Sequence, residues 1–194
     1  MPSPVLPLLI EPQALYALLN ADALGDNVRL LDLSGQEQYL NAHVPGAVHL
    51  PASRTASPAP RPGLLPAMPA LEQMLGELGH HPDLHYVIYD DEGGGWAGRF
   101  IWILDSIGHR HYSYLNGGIK AWEQDGLPTE TQVNQVPATK PVLTLTTGMT
   151  IDAEELKDSL AQADLVIWDA RSPAEHRDEK RFAERGGHIP GAIN

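Results

Sequence analysis

His43-Val44-Pro45-Gly46-Ala47-Val48-His49 returns near the end of the chain as His188-Ile189-Pro190-Gly191-Ala192-Ile193-Asn194. Each copy follows an apolar run that ends in aspartate. The first run is Leu30-Leu31-Asp32-Leu33-Ser34; the second is Val166-Ile167-Trp168-Asp169-Ala170-Arg171. Paired signatures that recur in the same order mark a duplicated unit. The aspartates lie 137 residues apart (169 − 32) and the histidines 145 apart (188 − 43), so the second copy carries 8 extra residues. We place this insertion around Asp178 to Gly187. The first unit runs on for about 80 to 100 residues past its motif, whereas the second copy reaches Asn194 with its motif. The expected organisation is a complete domain over residues 1–126, a linker over 127–149 and the beginning of a second domain over 150–194.

Outward from these motifs, short apolar runs alternate with helical patterns. That alternation predicts an α/β fold, a parallel five-stranded sheet flanked by helices. Strands are expected at Val28–Leu33, Ala47–Leu50, His85–Tyr89 and His111–Leu115. Helices are expected at Pro12–Leu19, Gln36–Asn41, Leu71–Leu78, Trp96–Ile107 and Ile119–Gln124, with Gly79, Gly108 and Gly126 as stops. Pro51 to Pro69 is rich in Pro, Ser and Ala and reads as a surface loop. Pro128, Pro137 and Pro141 among Thr, Gln and Asn give the linker its composition. Thr150 or Asp152 caps a helix through Leu160, and Leu165–Trp168 is a strand.

Composition narrows the function. A net charge of −12 disfavours nucleic acid as a partner, because phosphate binding needs clustered Lys and Arg. No apolar run is long enough to span a bilayer. The N-terminus has prolines and no basic region, so it does not read as a signal peptide, and a cytoplasmic location is expected. The chain has no Cys, which removes disulfides, zinc-thiolate sites and thiol catalysis from these residues.

The most informative loop is Asp90-Asp91-Glu92-Gly93-Gly94-Gly95, continuing to Arg99. It follows a strand and opens a helix, which is where ligands bind in open α/β sheets. Its glycines let successive N–H groups converge on an anion. Its three carboxylates should oppose such a ligand, at about 3 kcal/mol per close charge pair for an effective dielectric of 20. No Gly-Lys-Ser/Thr follows, so it is not a Walker-type phosphate loop. No partnered acid or metal cluster makes Asp90 a phosphoryl acceptor. His43 and His188 sit in Pro-Gly turns and are expected to bond nearby backbone or carboxylate, not to catalyse. Asp32 and Asp169 are expected to cap the turns that follow them. His80, His81 and His85 lie between helix and strand without metal-ligand spacing, so no metal is expected. Arg171 is expected to pair with Asp169 or Glu175 within its turn.

The motif Gly187-His188-Ile189-Pro190-Gly191-Ala192, its first copy at His43, and Leu115-Asn116-Gly117-Gly118…Trp122 together resemble the rhodanese family, the sulfurtransferases. The likeness extends over nearly the whole chain and is strongest to tandem-domain members. It implies a non-catalytic N-terminal domain, with Asp90 where a catalytic domain has its Cys and the Asp90–Gly95 loop and Arg99 a vestigial pocket. It implies a nucleophilic Cys beyond Asn194, so that these residues alone are inactive. Arg177 falls near the position of an arginine that binds the anionic donor in the family. The implied reaction is sulfur transfer from thiosulfate to cyanide or a thiol acceptor through a Cys persulfide, with no cofactor. The remainder of the second domain, or another polypeptide, is the partner expected to complete its sheet. Two alternatives stand beside this reading: a 3-mercaptopyruvate sulfurtransferase, and a non-catalytic rhodanese-like binding module.

Overall fold

The computed structural model describes residues 6–57, 63–162 and 164–194. The chain forms two compact units, Met1–Thr146 and Thr147–Asn194. The first contains strands β1 (Leu9–Ile10), β2 (Val28–Asp32), β3 (Val48–His49), β4 (His85–Tyr89) and β5 (Tyr112–Leu115). Its helices are α1 (Pro12–Asn20), α2 (Gln36–Asn41), α3 (Met68–Glu77), α4 (Gly95–Ser106) and α5 (Gly118–Gln124). All strand pairs are parallel, in the order β1-β5-β4-β2-β3. The fifth strand is β1, two residues long and too short to show a period in the sequence.

Burial on both faces explains why β4 reads as a continuous apolar run. Successive side chains alternate across the sheet. Tyr86 and Ile88 enter one core with Leu71, Met74 and Leu75 of α3 and Phe100, Ile103 and Leu104 of α4. Val87 and Tyr89 enter the other with Leu15 of α1 and Ile119 and Trp122 of α5. Pro12 at the start of α1 and a proline early in α3 suit positions where a helix needs no N–H. Within the expected Pro51–Pro69 loop, Ala52–Thr55 forms a 3-10 turn and α3 begins at Met68; residues 58–62 of that loop lie outside the described residues.

Residues 127–146, most of the stretch read as linker, lie against the first unit as an extended strap. Several of their backbone groups bond to the body of that unit, and they form no ladder of their own. Glu130 and His43 exchange two backbone hydrogen bonds of 3.0 Å. Further along, Thr139 N–H donates to Gly76 O (2.8 Å), Leu143 N–H to Glu72 Oε1 (3.2 Å) and Thr146 N–H to Ser106 O (2.7 Å).

In the second unit, Asp152 caps α6 (Ala153–Ser159) by accepting from Glu155 N–H at 2.9 Å. Ser172 and Glu175 form a capping box on α7 (Pro173–His176). The strand expected at Leu165–Trp168 is a single parallel bridge, Trp168 to Ile193. A ladder needs neighbours, and among the described residues this segment has only that one. Val166, Trp168 and Ile193 are accordingly 74%, 78% and 59% exposed.

Candidate functional site

The sheet order places a topological switch between β2 and β4, because the chain winds away from that seam in both directions. The loops leaving the two strands meet there, and Gly35 N–H points at Asp91 Oδ2 across 3.4 Å. Asp90 follows β4 and is 1% exposed. Its Oδ1 accepts from Glu92 N–H (3.0 Å) and Gly94 N–H (2.8 Å). Its Oδ2 accepts from Trp96 N–H (2.9 Å) and Ala97 N–H (3.0 Å), in the first turn of α4. The nest is thus filled by the protein's own carboxylate. This corrects the expectation that the three acids oppose the nest: Asp90 satisfies it, and only Asp91 and Glu92 remain outside. Glu92 accepts from Trp96 Nε1 at 3.1 Å. Arg99 faces elsewhere, donating to the carbonyls of Thr55, Gly63 and Leu64 at 2.8–3.1 Å with its guanidinium over Trp102.

The backbone of α5 closes the other side of this loop. Ile119 N–H donates to Asp90 O at 3.2 Å. Gly118 has φ +60°, and a Cβ there would overlap the Asp90 carbonyl oxygen. Tight approach is thus the reason for glycine in Asn116-Gly117-Gly118.

The repeated motif repeats its geometry. Asp32 Oδ1 accepts from Ser34 N–H at 2.7 Å, and Asp169 Oδ1 from Arg171 N–H at 3.1 Å. Tyr39 and His176 both lie seven residues after their aspartate. His43 stacks on Tyr39 with ring centres 3.9 Å apart, and His188 on His176 at 3.7 Å. The motif histidine donates from Nδ1 to the carbonyl of its stacking partner, at 2.5 Å in the first unit and 2.8 Å in the second. Leu31 pairs with Val48 as Trp168 bridges to Ile193. Gly46 and Gly191 share φ +82°. The extra 8 residues therefore fall between the stacking partners, since 188 − 176 is 12 and 43 − 39 is 4.

The environments of the two aspartates differ. Burial pushes the Asp32 carboxyl above its ordinary range, against the hydrogen bonds from Ser34. Arg171, then His176, hold the Asp169 carboxyl well below its range. Arg171 reaches Asp169 through Nε (2.9 Å) and Nη2 (2.7 Å), and also donates to Gly187 O. An open groove beside this ion pair is lined by Trp168, Arg171, Gly186, Gly187, His188 and Ile189. Arg177 lines no part of that groove; its guanidinium makes a two-point pair with Glu179 at 2.7 and 2.9 Å.

Among the described residues no group of three or more His, Asp or Glu is arranged to hold a metal. No described helix is long and apolar enough to cross a membrane.

Comparison with known proteins gives the same fold and a chemistry. The family model for a rhodanese-like domain matches residues 11–125 and 152–194. The thiosulfate sulfurtransferase of Azotobacter vinelandii is 50% identical over 191 residues, covering 97% of this chain and 69% of that protein. The 3-mercaptopyruvate sulfurtransferase of Escherichia coli is 30% identical, covering 84% of this chain and 59% of that protein. A solved Escherichia coli structure described as a 3-mercaptopyruvate sulfotransferase superposes with a TM-score of 0.82 at 26% identity, covering 97% of this chain and 74% of that one. With its sheet order, its Asp-and-His turns and the family model agreeing over most of its length, this chain belongs to the rhodanese family.

Proposed function

We propose that the protein is a thiosulfate sulfurtransferase whose 194 residues comprise a non-catalytic rhodanese domain, 1–126, a linker, 127–149, and the beginning of a second, catalytic domain, 150–194. The observation that carries the activity is the identity of 50% and 49% to two curated thiosulfate sulfurtransferases, each over 97% of the chain. The more distant mercaptopyruvate enzymes, at 30% or below, support the alternative donor less well. The repeated turn geometry at Asp169 and His188 supports the tandem arrangement.

The chemistry needs a thiol, and these residues contain none. A Cys thiolate supplied from outside them attacks the outer sulfur of thiosulfate. The S–S bond of the donor breaks and sulfite leaves with the electron pair, leaving a persulfide. Cyanide carbon or an acceptor thiolate then attacks the terminal sulfur, and the Cys thiolate is regenerated. No step calls for a metal or organic cofactor. The first unit's part is structural, because Asp90 carries no transferable sulfur and already occupies its own nest. Arg177 is the candidate donor-binding cation once its pair with Glu179 exchanges for an anion, as a guanidinium fork suits sulfonate oxygens. The exposed Val166, Trp168 and Ile193 favour completion of the second sheet by further polypeptide.

The test is thiocyanate formation from thiosulfate and cyanide. The 194-residue chain alone should form none. The same chain continued to the length of its relatives should turn over thiosulfate in preference to 3-mercaptopyruvate. Turnover by the 194 residues alone, or a preference for mercaptopyruvate in the longer protein, contradicts the reading.

A further inference from the structure

The strap over the first unit is held at two ends, and each end lies on a buried histidine. At the first, Glu130 accepts from Gly46 N–H (2.6 Å) and Asn134 Nδ2 (2.5 Å), and its Oε1 lies 3.3 Å from Nε2 of the fully buried His43. Asn134 adds a bond from its N–H to Tyr39 Oη at 3.1 Å. This end therefore sets a carboxylate directly beside its buried histidine.

The second end is built differently. Thr139 Oγ1 donates to His80 O at 2.8 Å, and Val142, Leu143 and Thr144 border a groove with His80, His109 and His111. His80 and His109 are 7% and 6% exposed, with ring centres 5.0 Å apart. His109 and His111 are 5.6 Å apart. His80 Nδ1 faces Tyr86 Oη at 3.2 Å, and His109 Nε2 faces His111 O at 3.2 Å. The titratable and charged groups around the pair are His81, His85 and His111 on its own loops and strands, Arg29 beside Tyr86 on β2, Glu72 on α3, and Arg110 with its partner Asp105. Glu72 is engaged by Leu143 N–H and Asp105 by Arg110 and Tyr112. Among the described residues no carboxylate is hydrogen-bonded to His80 or His109.

We propose that the strap is an acid-releasable latch: protonation of the His80–His109 pair frees its C-terminal half, 137–146, while Glu130 and Asn134 keep the N-terminal half bound. Two imidazolium ions 5 Å apart in a near-buried niche repel each other and lose hydration; opening the strap that borders the niche lets in water, which hydrates the ions and screens their repulsion. Burial already drives the His80 imidazole down to about 4, and lowers that of His109. A group that titrates at 6.5 when open and at about 4 when closed favours opening by roughly 30-fold at pH 5. Niches that remain partly covered after opening reduce this.

Amide exchange followed by NMR on the intact protein, corrected for intrinsic rates, reads both ends at once. Between pH 7 and pH 5, protection at Thr139 and Leu143 should fall at least about 10-fold more than at Glu130 and Asn134. The double variant His80→Gln/His109→Gln should lose this difference. If that variant does not fold, the single variant His109→Gln should at least halve the logarithm of the response. Equal loss at both ends, unchanged protection at pH 5, or a variant responding like the parent would each overturn the proposal.

Discussion

Asp32 ends β2, Asp90 follows β4 and Asp169 follows the Trp168 bridge, and each accepts from the N–H two residues on: Asp32 from Ser34, Asp90 from Glu92 and Asp169 from Arg171. The sequence shows the first and last as turn caps. It shows Asp90 only as one of three acids in a glycine-rich loop, because spacing carries no direction for a side chain. The Asx-turn habit of a strand-ending aspartate was the available clue. Asp90→Ala should leave four N–H groups short of an acceptor and destabilise the first unit by about 2–5 kcal/mol. Asp90→Asn should rescue little, since its NH2 replaces one oxygen opposite two donors. Urea unfolding measures both; a loss under about 0.5 kcal/mol in the alanine variant would mean that the carboxylate does not hold the loop.

At the scale of elements, α2 and β4 match their expected bounds, while α1, α4, α5 and β5 lie within a residue or so of theirs. Apolar periodicity and Gly or Pro stops specify such segments locally. Two features were not legible. β1 is two residues that pair with β5 only because the folded sheet offers an edge. The strap has no period, and its order comes from contacts distant in sequence. One of these constrains α3: a Cβ at Gly76 would lie 2.6 Å from Thr139 O. Helix propensity alone says that Gly76→Ala stabilises by about 1 kcal/mol. Displacement of the strap opposes this, and we expect a net loss of about 1–2 kcal/mol with exchange at Thr139 accelerated. A rise in thermal midpoint for this variant would show that the strap contributes little.

For the whole molecule, acid should weaken the fold well before its carboxylates protonate. Burial lowers His80 and His85 to about 4; His85 stays neutral while donating from Nε2 to Ser113 Oγ at 2.8 Å. The folded state therefore binds fewer protons than the unfolded one between those values and 6.5. Stability from these groups is complete above about pH 6.5 and is lost as pH falls toward 4. The two together contribute on the order of 3–6 kcal/mol, less whatever residual water reaches them. Unfolding free energies at pH 7, 6, 5 and 4.5 should slope downward throughout that window. A plateau down to pH 4.5 would assign the acid sensitivity to carboxylates instead. A net charge of −12 gives no hint of this behaviour, because the histidines that matter are set apart by burial, which composition does not record.

The stacked pairs Tyr39–His43 and His176–His188 have a consequence in polymer terms. Each clamps two chain positions less than 4 Å apart between ring centres, with 4 residues of separation in one unit and 12 in the other. Threefold lengthening of a flexible loop raises its closure entropy by only about 1 kcal/mol. The clamp, once made, is nearly indifferent to what is strung between its jaws. This is where the chain can accept added length at small thermodynamic cost, and it is here that its two units differ by 8 residues.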